Sequence, residues 1–351
     1  MKYEFRLLSL NQVNWDDVES IHEHTAFHTQ KWASFVRRCG YRPWIVAIYK
    51  DEAIVGYFIS TIVGHVIKMI CAPLGGLGYT QGLILKFPIE YSDRVQLYKE
   101  LTSWIFVNRY AHYISVDDWC LRLSSKEWNE EYSSHNELLE KAQVQYSIRT
   151  TLYLPLEKSI EELWGGLHYK SAKYSINKAR KAGLYTRVVC KKEDINDFVD
   201  KHYDQICDVC RRHGSKPKLV QSKQRIQKIC ESTFPDRSLM IQVVGKDENG
   251  VEQIMSSAVF IIGENEAIYS TGASYQKYQK YCPNEIMVWD AICLLKERGV
   301  KNLNYGGMGE YKLKFGTIYA YLPRIVFSKY AFIDNMRRKI KSIYEKYLYR
   351  K

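Results

Sequence analysis

Apolar runs rich in β-branched and aromatic residues, broken by Asp, Asn and Gly, recur along the chain in one order twice, about 190 residues apart. The first copy runs WIVAIY (44–49), the turn KDE (50–52), AIVGYFISTIV (53–63), Gly64-His65 and VIKMIC (66–71), then a helical stretch over 91–109 and YISV (113–116). The second runs LMIQVV (239–244), KDENG (246–250), EQIMSSAVFII (252–262), GENE (263–266) and AIYSTGA (267–273), then NEIMVWDAICLLKER (284–298) and NLNY (302–305). Runs of this kind joined by tight polar turns predict β-hairpins. A helix that returns a last strand to the same sheet is an α/β crossover. The chain is therefore expected to be α/β with mixed sheets, built from one domain layout used twice.

Helix signals fill the intervals. Asn14 and Asp17 cap a first helix; Thr29 caps a second, QKWASFVRRC (30–39), which Gly40 ends. The first domain is expected over 1–145, closing in a polar stretch without apolar periodicity. The second is expected over 150–330 and opens with a strand at Thr151–Leu156. Ser159 and Glu162 form a capping box for a helix to Ala182, weakened at Gly165-Gly166. Further helices are expected around 193–212 and 221–231.

Within this frame a few positions carry candidate chemistry. Lys170, Lys173, Asn177 and Arg180 or Lys181 stand at i, i+3, i+7 and i+10/11, one side of a regular helix. Such a stripe either faces water or holds a polyanion such as a pyrophosphate or an RNA backbone. Tyr169 and Tyr174 interleave with it. NYGGMGEYKLKFG (304–316) follows the last core strand: Gly306, Gly307 and Gly309 permit close backbone approach, with Lys312 and Lys314 beside them. Its spacing is not that of a phosphate-binding P-loop. APLGGLGYTQG (72–82), with Tyr79, is a similar loop in the first copy. Asn284 is expected to cap a helix whose free amides attract anions. Asp117 and Asp118 are acid–base candidates of low specificity.

Composition narrows the classes. The 351 residues give room for two domains, 46% apolar content marks a globular chain, and no run is long enough to span a bilayer. The N-terminus reads as no signal peptide. Nine irregularly spaced cysteines suggest a reducing compartment. His202, Cys207, Cys210 and His213 are the nearest approach to a ligand cluster, and packing is the better reading of them. Net charge is +12, and residues 336–351 hold seven basic residues against Glu345. With Ile333, Met336, Ile340, Ile343 or Tyr344, and Tyr347 at helical spacing, 331–351 is expected to be a basic amphipathic helix. It is either docked on the domain or attached to anionic lipid or RNA.

At FHTQKWASF (27–35), LWGGLHYKSAKYSINKARKAG (163–183) and the block from SSAVFII (256–262) to YKLKFG (311–316), the chain resembles the Fem-type aminoacyltransferases and related polysaccharide-associated acyltransferases of the GNAT superfamily. The resemblance implies tandem GNAT-like domains and an N-acyltransferase acting on a peptidoglycan or polysaccharide precursor. It implies no tightly bound cofactor or metal; the co-substrate would be an acyl-CoA or acyl-carrier thioester, or aminoacyl-tRNA. Lys312 and Lys314 would be catalytic, and Lys170, Lys173, Asn177, Arg180, Asn284, Gly306 and Gly307 would hold the donor. The acceptor is expected against Trp32, Tyr79, Tyr169 and Tyr269. Such a protein is expected to be cytoplasmic, or peripheral at the inner face of the membrane. Asn304 stands where many relatives carry Asp, the pyrophosphate signature of simple GNAT enzymes is missing at Cys282–Glu285, and no paired helical arm is visible over 184–235. The rival reading is a non-catalytic module that binds RNA or anionic lipid.

Overall fold

The computed structural model describes residues 3–71, 82–124, 127–128, 137, 139–141, 144–217, 221–307 and 309–348. The chain divides into two compact units, Met1–Thr150 with Ala320–Glu345, and Thr151–Tyr319 with the last six residues.

In the first unit, β1 (Glu4–Leu8) pairs with β2 (Arg42–Lys50), and β2 with β3 (Ala53–Val63), both antiparallel. β3 also pairs with β4 (Met69–Ile70) and β5 (Leu83–Leu85), and β4 lies parallel to β6 (Tyr113–Asp117). A parallel neighbour needs a crossover, and the helix Tyr91–Val107 supplies it. Period-two alternation splits β2 and β3 between two faces. Val46, Ile48 and Phe58 pack with Leu97, Leu101 and Ile105 of that helix, while Ala47, Tyr57 and Ile59 pack with Trp15, Val18 and Ala33. A short strand, β7 (Leu123–Ser124), follows.

The second unit begins in β8 (Gln145–Pro155) and continues through β9 (Tyr185–Val188), β10 (Ser238–Lys246), β11 (Glu252–Ile262), β12 (Glu266–Ser274) and β13 (Asn302–Asn304). Their order across the sheet is β8-β13-β12-β11-β10-β9. Among the described residues of this unit only the β12–β13 pair is parallel, and the helix Pro283–Glu297 makes that crossover. The β2–β3 and β10–β11 hairpins even shift register at equivalent places near the turn, at Ile48/Tyr49 and Val243/Val244. The repeated hairpin–hairpin–crossover layout expected from the apolar pattern is thus present. Met287, Ala291, Ile292 and Leu295 of the crossover helix cover one face of the second sheet, joined by Ile176 and Ala179. Phe198, Val199, His202 and Ile206 are buried along the helix Ile195–His213.

The expected domain limits need correction. β8 runs through the proposed 145–150 boundary, and β14 (Ile318–Ser328), which the sequence reading did not include, pairs with β6 and β7. Residues 320–330 therefore go with the first unit, because strand hydrogen bonds tie them there. The helix Ala331–Leu348 follows, with Ile333 buried against Cys71 and Tyr113.

Candidate active site

β13 ends at Asn304, which is completely buried. Its side-chain oxygen accepts from the Thr151 hydroxyl at 2.9 Å and from the Gly306 amide at 2.8 Å, and its amide nitrogen donates to Glu266 at 3.2 Å. A neutral amide used at both ends is a fastener for the strand end, not a base. Gly306 (φ +70°) and Gly307 (φ +148°) then turn the chain through backbone angles that side chains resist. The short helix Glu310–Leu313 follows and carries Lys312. Its ammonium donates to the carbonyls of Tyr305 at 2.7 Å and Gly307 at 3.3 Å. Burial holds the Lys312 pKa below the usual lysine range.

Three tyrosines and Phe315 cluster around this turn. Ring centroids of Tyr269 and Tyr305 lie 6.2 Å apart, Tyr305 and Phe315 6.4 Å, and Tyr311 and Phe315 5.5 Å, with the Lys312 ammonium 6.0 Å from the Tyr269 ring. The buried hydroxyls of Tyr305 and Tyr311 meet no partner among the described protein groups. Burial raises the pKa of both, helped at Tyr305 by Tyr269 and at Tyr311 by Glu285, so each stays a neutral O–H donor near pH 7. A buried donor left without an acceptor costs about 1–3 kcal/mol. Two such hydroxyls are packed around the turn that carries Lys312.

Lys314 behaves differently. Its ammonium pairs with Glu285 at 2.5 Å and lies 4.2 Å from the centre of the Tyr311 ring. Glu285 stands in the first turn of the Pro283–Glu297 helix, so the positive helix end faces the protein's own carboxylate. This revises the anion seat expected there. Cys282 precedes the helix in a left-handed conformation, and Asn284 does not cap it but donates to the Ser274 hydroxyl at 2.9 Å.

The expected basic stripe is only partly regular. The helix begun at Ser159 ends at Gly166, and residues Tyr169–Lys173 form a wider turn in which the Lys173 amide reaches the His168 carbonyl at 3.3 Å. That five-residue step moves Lys170 off the 3.6-residue line. Tyr169, Lys170, Asn177 and Arg180 are exposed, and Arg180 lies 5.6 Å from the Trp164 ring. The Lys173 ammonium donates to Gly165 O at 3.1 Å. This segment does meet the lysine turn: the His168 amide donates to Lys314 O at 2.9 Å, and a Cβ on Gly316 would come within 3.1 Å of Gly166 O. Lys173, Tyr269, Gly306, Gly307, Lys312 and Lys314 thus belong to one neighbourhood of the second unit.

Other expected positions lie elsewhere. Trp32 is 2% exposed, with Phe27 and Phe35 each 4.7 Å away, so it is a core residue of the first unit and cannot receive an acceptor. Tyr79 and its glycine loop lie outside the described residues. Asp117 is held by Arg149 at 2.6 Å and Arg324 at 2.8 Å; Asp118 is held by Arg94 and Tyr98, each at 2.7 Å. Both are fixed ion pairs. His202 hydrogen-bonds Ser257 at 2.7 Å and Thr271 at 3.2 Å, and among the described residues no group of three His, Cys, Asp or Glu could hold a metal. Sequence reasoning did not single out Tyr305 and Tyr311. They stand inside a segment it quoted, but nothing in a sequence marks a hydroxyl as unpartnered.

A mixed α/β chain of two like units, with a glycine turn and a lysine turn after the last core strand of the second, has the fold of FemX. The FemX structure matches with a TM-score of 0.68 at 12% identity, over 96% of this chain and 100% of its own. Residues 210–312 match the model of the FemAB family, so the Fem-type resemblance read from the sequence is upheld in the stretch that ends at Lys312. A conserved protein of unknown function from Bacteroides thetaiotaomicron matches at TM-score 0.56 and 10% identity, over 92% of this chain and 99% of its own. The C-terminal domain of a protein described as a lysylphosphatidylglycerol synthetase from Agrobacterium fabrum matches at 0.54 and 11%, over 94% of each chain. At these identities the structural likeness speaks to fold alone. No curated protein matches the sequence.

Proposed function

We propose that this chain transfers an acyl or aminoacyl group to an amine on a peptidoglycan or polysaccharide precursor of the cell envelope. One observation carries the reading: Lys312, a desolvated ammonium held on two carbonyls, lies at the end of the FemAB-matching stretch, in a turn that also carries the unpartnered hydroxyls of Tyr305 and Tyr311. The acceptor nitrogen attacks the activated carbonyl, the N–C bond forms, and the carbonyl electron pair becomes an oxyanion. Lys312 and the Tyr305 and Tyr311 hydroxyls stabilise that oxygen. Collapse expels the thiolate or ribose oxygen of the donor, which leaves with the proton given up by the amine. Lys314, paired with Glu285 against the Tyr311 ring, positions the turn.

The donor is an acyl-CoA or acyl-carrier thioester or an aminoacyl-tRNA, taken as a co-substrate rather than a resident cofactor. The exposed Lys170, Asn177 and Arg180 and the net charge of +12 suit either polyanion. Tyr169, 77% exposed, stands ready to stack on a substrate. These donors are made in the cytoplasm, which is where the reading places the protein; among the described residues no helix is long and apolar enough to cross a membrane.

Mass spectrometry of the envelope-precursor pool with and without the protein tests this. The reading expects one acyl or aminoacyl increment to vanish from a precursor, and an unchanged pool contradicts it. Lys312→Ala should lower turnover on the order of 10²–10³-fold with the fold intact. Transfer that weakens steeply with salt marks the tRNA donor, and salt-insensitive transfer marks the thioester.

A further inference from the structure

The helix Ala331–Leu348 is docked on the first unit by only part of its surface. Ile333 is 1% exposed and Asp334 8%; the Asp334 carboxylate accepts from the Tyr113 hydroxyl at 3.4 Å and from the Arg338 guanidinium, and Arg337 lies 5.4 Å from the Tyr113 ring. Elsewhere the helix shows water a row of large apolar side chains: Phe332 is 58% exposed, Ile340 43% and Ile343 67%. At 100° per residue these three and the half-buried Met336 fall within a sector of about 80°. Tyr330, stacked on Phe332 at 5.8 Å and 46% exposed, extends the row past the helix start. The same 100° step places Lys339 and Lys346, both exposed, along one border of the row.

We propose that this face docks on an anionic lipid bilayer, with the helix lying in the plane of the headgroups. A narrow apolar stripe bordered by lysines is the pattern that buries side chains at the acyl boundary while its cations meet lipid phosphates. A second copy of the chain would bring its own lysines against these in a two-fold contact. An RNA backbone would engage the cations and leave Phe332, Ile340 and Ile343 in water. The proposal does not depend on the transferase reading: it concerns the face of one C-terminal helix, and it is tested without substrate.

The test is co-sedimentation of the full chain with vesicles of phosphatidylcholine alone and of phosphatidylcholine with 30% phosphatidylglycerol. The expected result is tenfold or stronger partitioning onto the anionic vesicles. Ile340→Asp/Ile343→Asp should reduce it at least tenfold and Lys339→Gln/Lys346→Gln several-fold, with circular dichroism and Tm unchanged for both variants. Ile340→Ser/Ile343→Ser, which adds no charge, serves as the milder control and should also weaken partitioning. No partitioning, equal partitioning onto both vesicles, or full partitioning by the aspartate variant overturns the proposal. So does a wild-type dimer that the same variant converts to monomer without vesicle binding, or binding to a structureless RNA in place of vesicles.

Discussion

The two units repeat one layout, yet one buried polar cluster in each is built in the opposite way. In the first, Arg94 is 3% exposed and joins Asp118, Glu23 and the Leu83 carbonyl, while Asp117 joins Arg149 and Arg324. Charge there meets opposite charge, and the result is architecture. In the second, Lys312 rests on carbonyls, and the Tyr305 and Tyr311 hydroxyls have no acceptor among the described residues. A saturated network holds a fold together, whereas the unpaired donors of the lysine turn are those the proposed reaction would use.

The largest effect should come from breaking the saturated network. Arg94→Met leaves Asp118 buried without its cation and should cost about 3–5 kcal/mol of unfolding free energy, measured by urea denaturation. A loss below about 1 kcal/mol would mean the network is ornamental.

Acid should act on both units alike. Burial lowers the pKa of His202 to about 3, and burial with the nearby His24 and Arg94 charges lowers that of His28 to about 3. An unfolded histidine titrates near 6.5, so as pH falls below that value the unfolded chain takes up protons that the folded chain refuses. Stability should therefore be full above about pH 6.5 and fall by roughly 1.4 kcal/mol per pH unit for each histidine on the way to pH 3. Removing the His202 share with His202→Gln should flatten the Tm profile between pH 6.5 and 4.5; an unchanged slope would show that this ring is not held neutral.

A smaller contrast separates two tyrosines. The Tyr98 hydroxyl donates to Asp118 at 2.7 Å and accepts from the Leu83 amide at 3.2 Å, so Tyr98→Phe should cost about 1–3 kcal/mol. Tyr305→Phe removes a hydroxyl with no partner among the described residues and should cost little or nothing. Equal losses in the two variants would erase the distinction. Smallest of all, Gly316→Ala combines a positive φ with contact on Gly166 O and should lower stability by about 1 kcal/mol, read as a Tm shift of a few degrees.

Much of this was legible in the residues, for identifiable reasons. The hairpins 44–63 and 239–262 show strong β-branched runs around polar turns, and each crossover helix sits between a strand and its parallel neighbour. Lys312 was singled out because glycines precede it. β14 was missed because Pro323 interrupts a run that otherwise reads as strand, and a proline demotes such a run. The basic stripe was drawn on an unbroken helix, which the wide turn at Tyr169–Lys173 does not respect. Trp32 looked like a ligand contact because an aromatic residue in a matching segment carries no mark of its burial. Tyr305 and Tyr311 could not be singled out, since an unpartnered hydroxyl is a property of packing.

The most direct measurement pairs Tm with turnover in the Tyr305→Phe/Tyr311→Phe protein, assayed with the donor class that supports transfer in the unmodified chain. The account predicts a Tm no lower than the parent's and turnover reduced tenfold or more. Full turnover together with a lowered Tm would show that these hydroxyls serve the fold and that the oxyanion seat is misplaced.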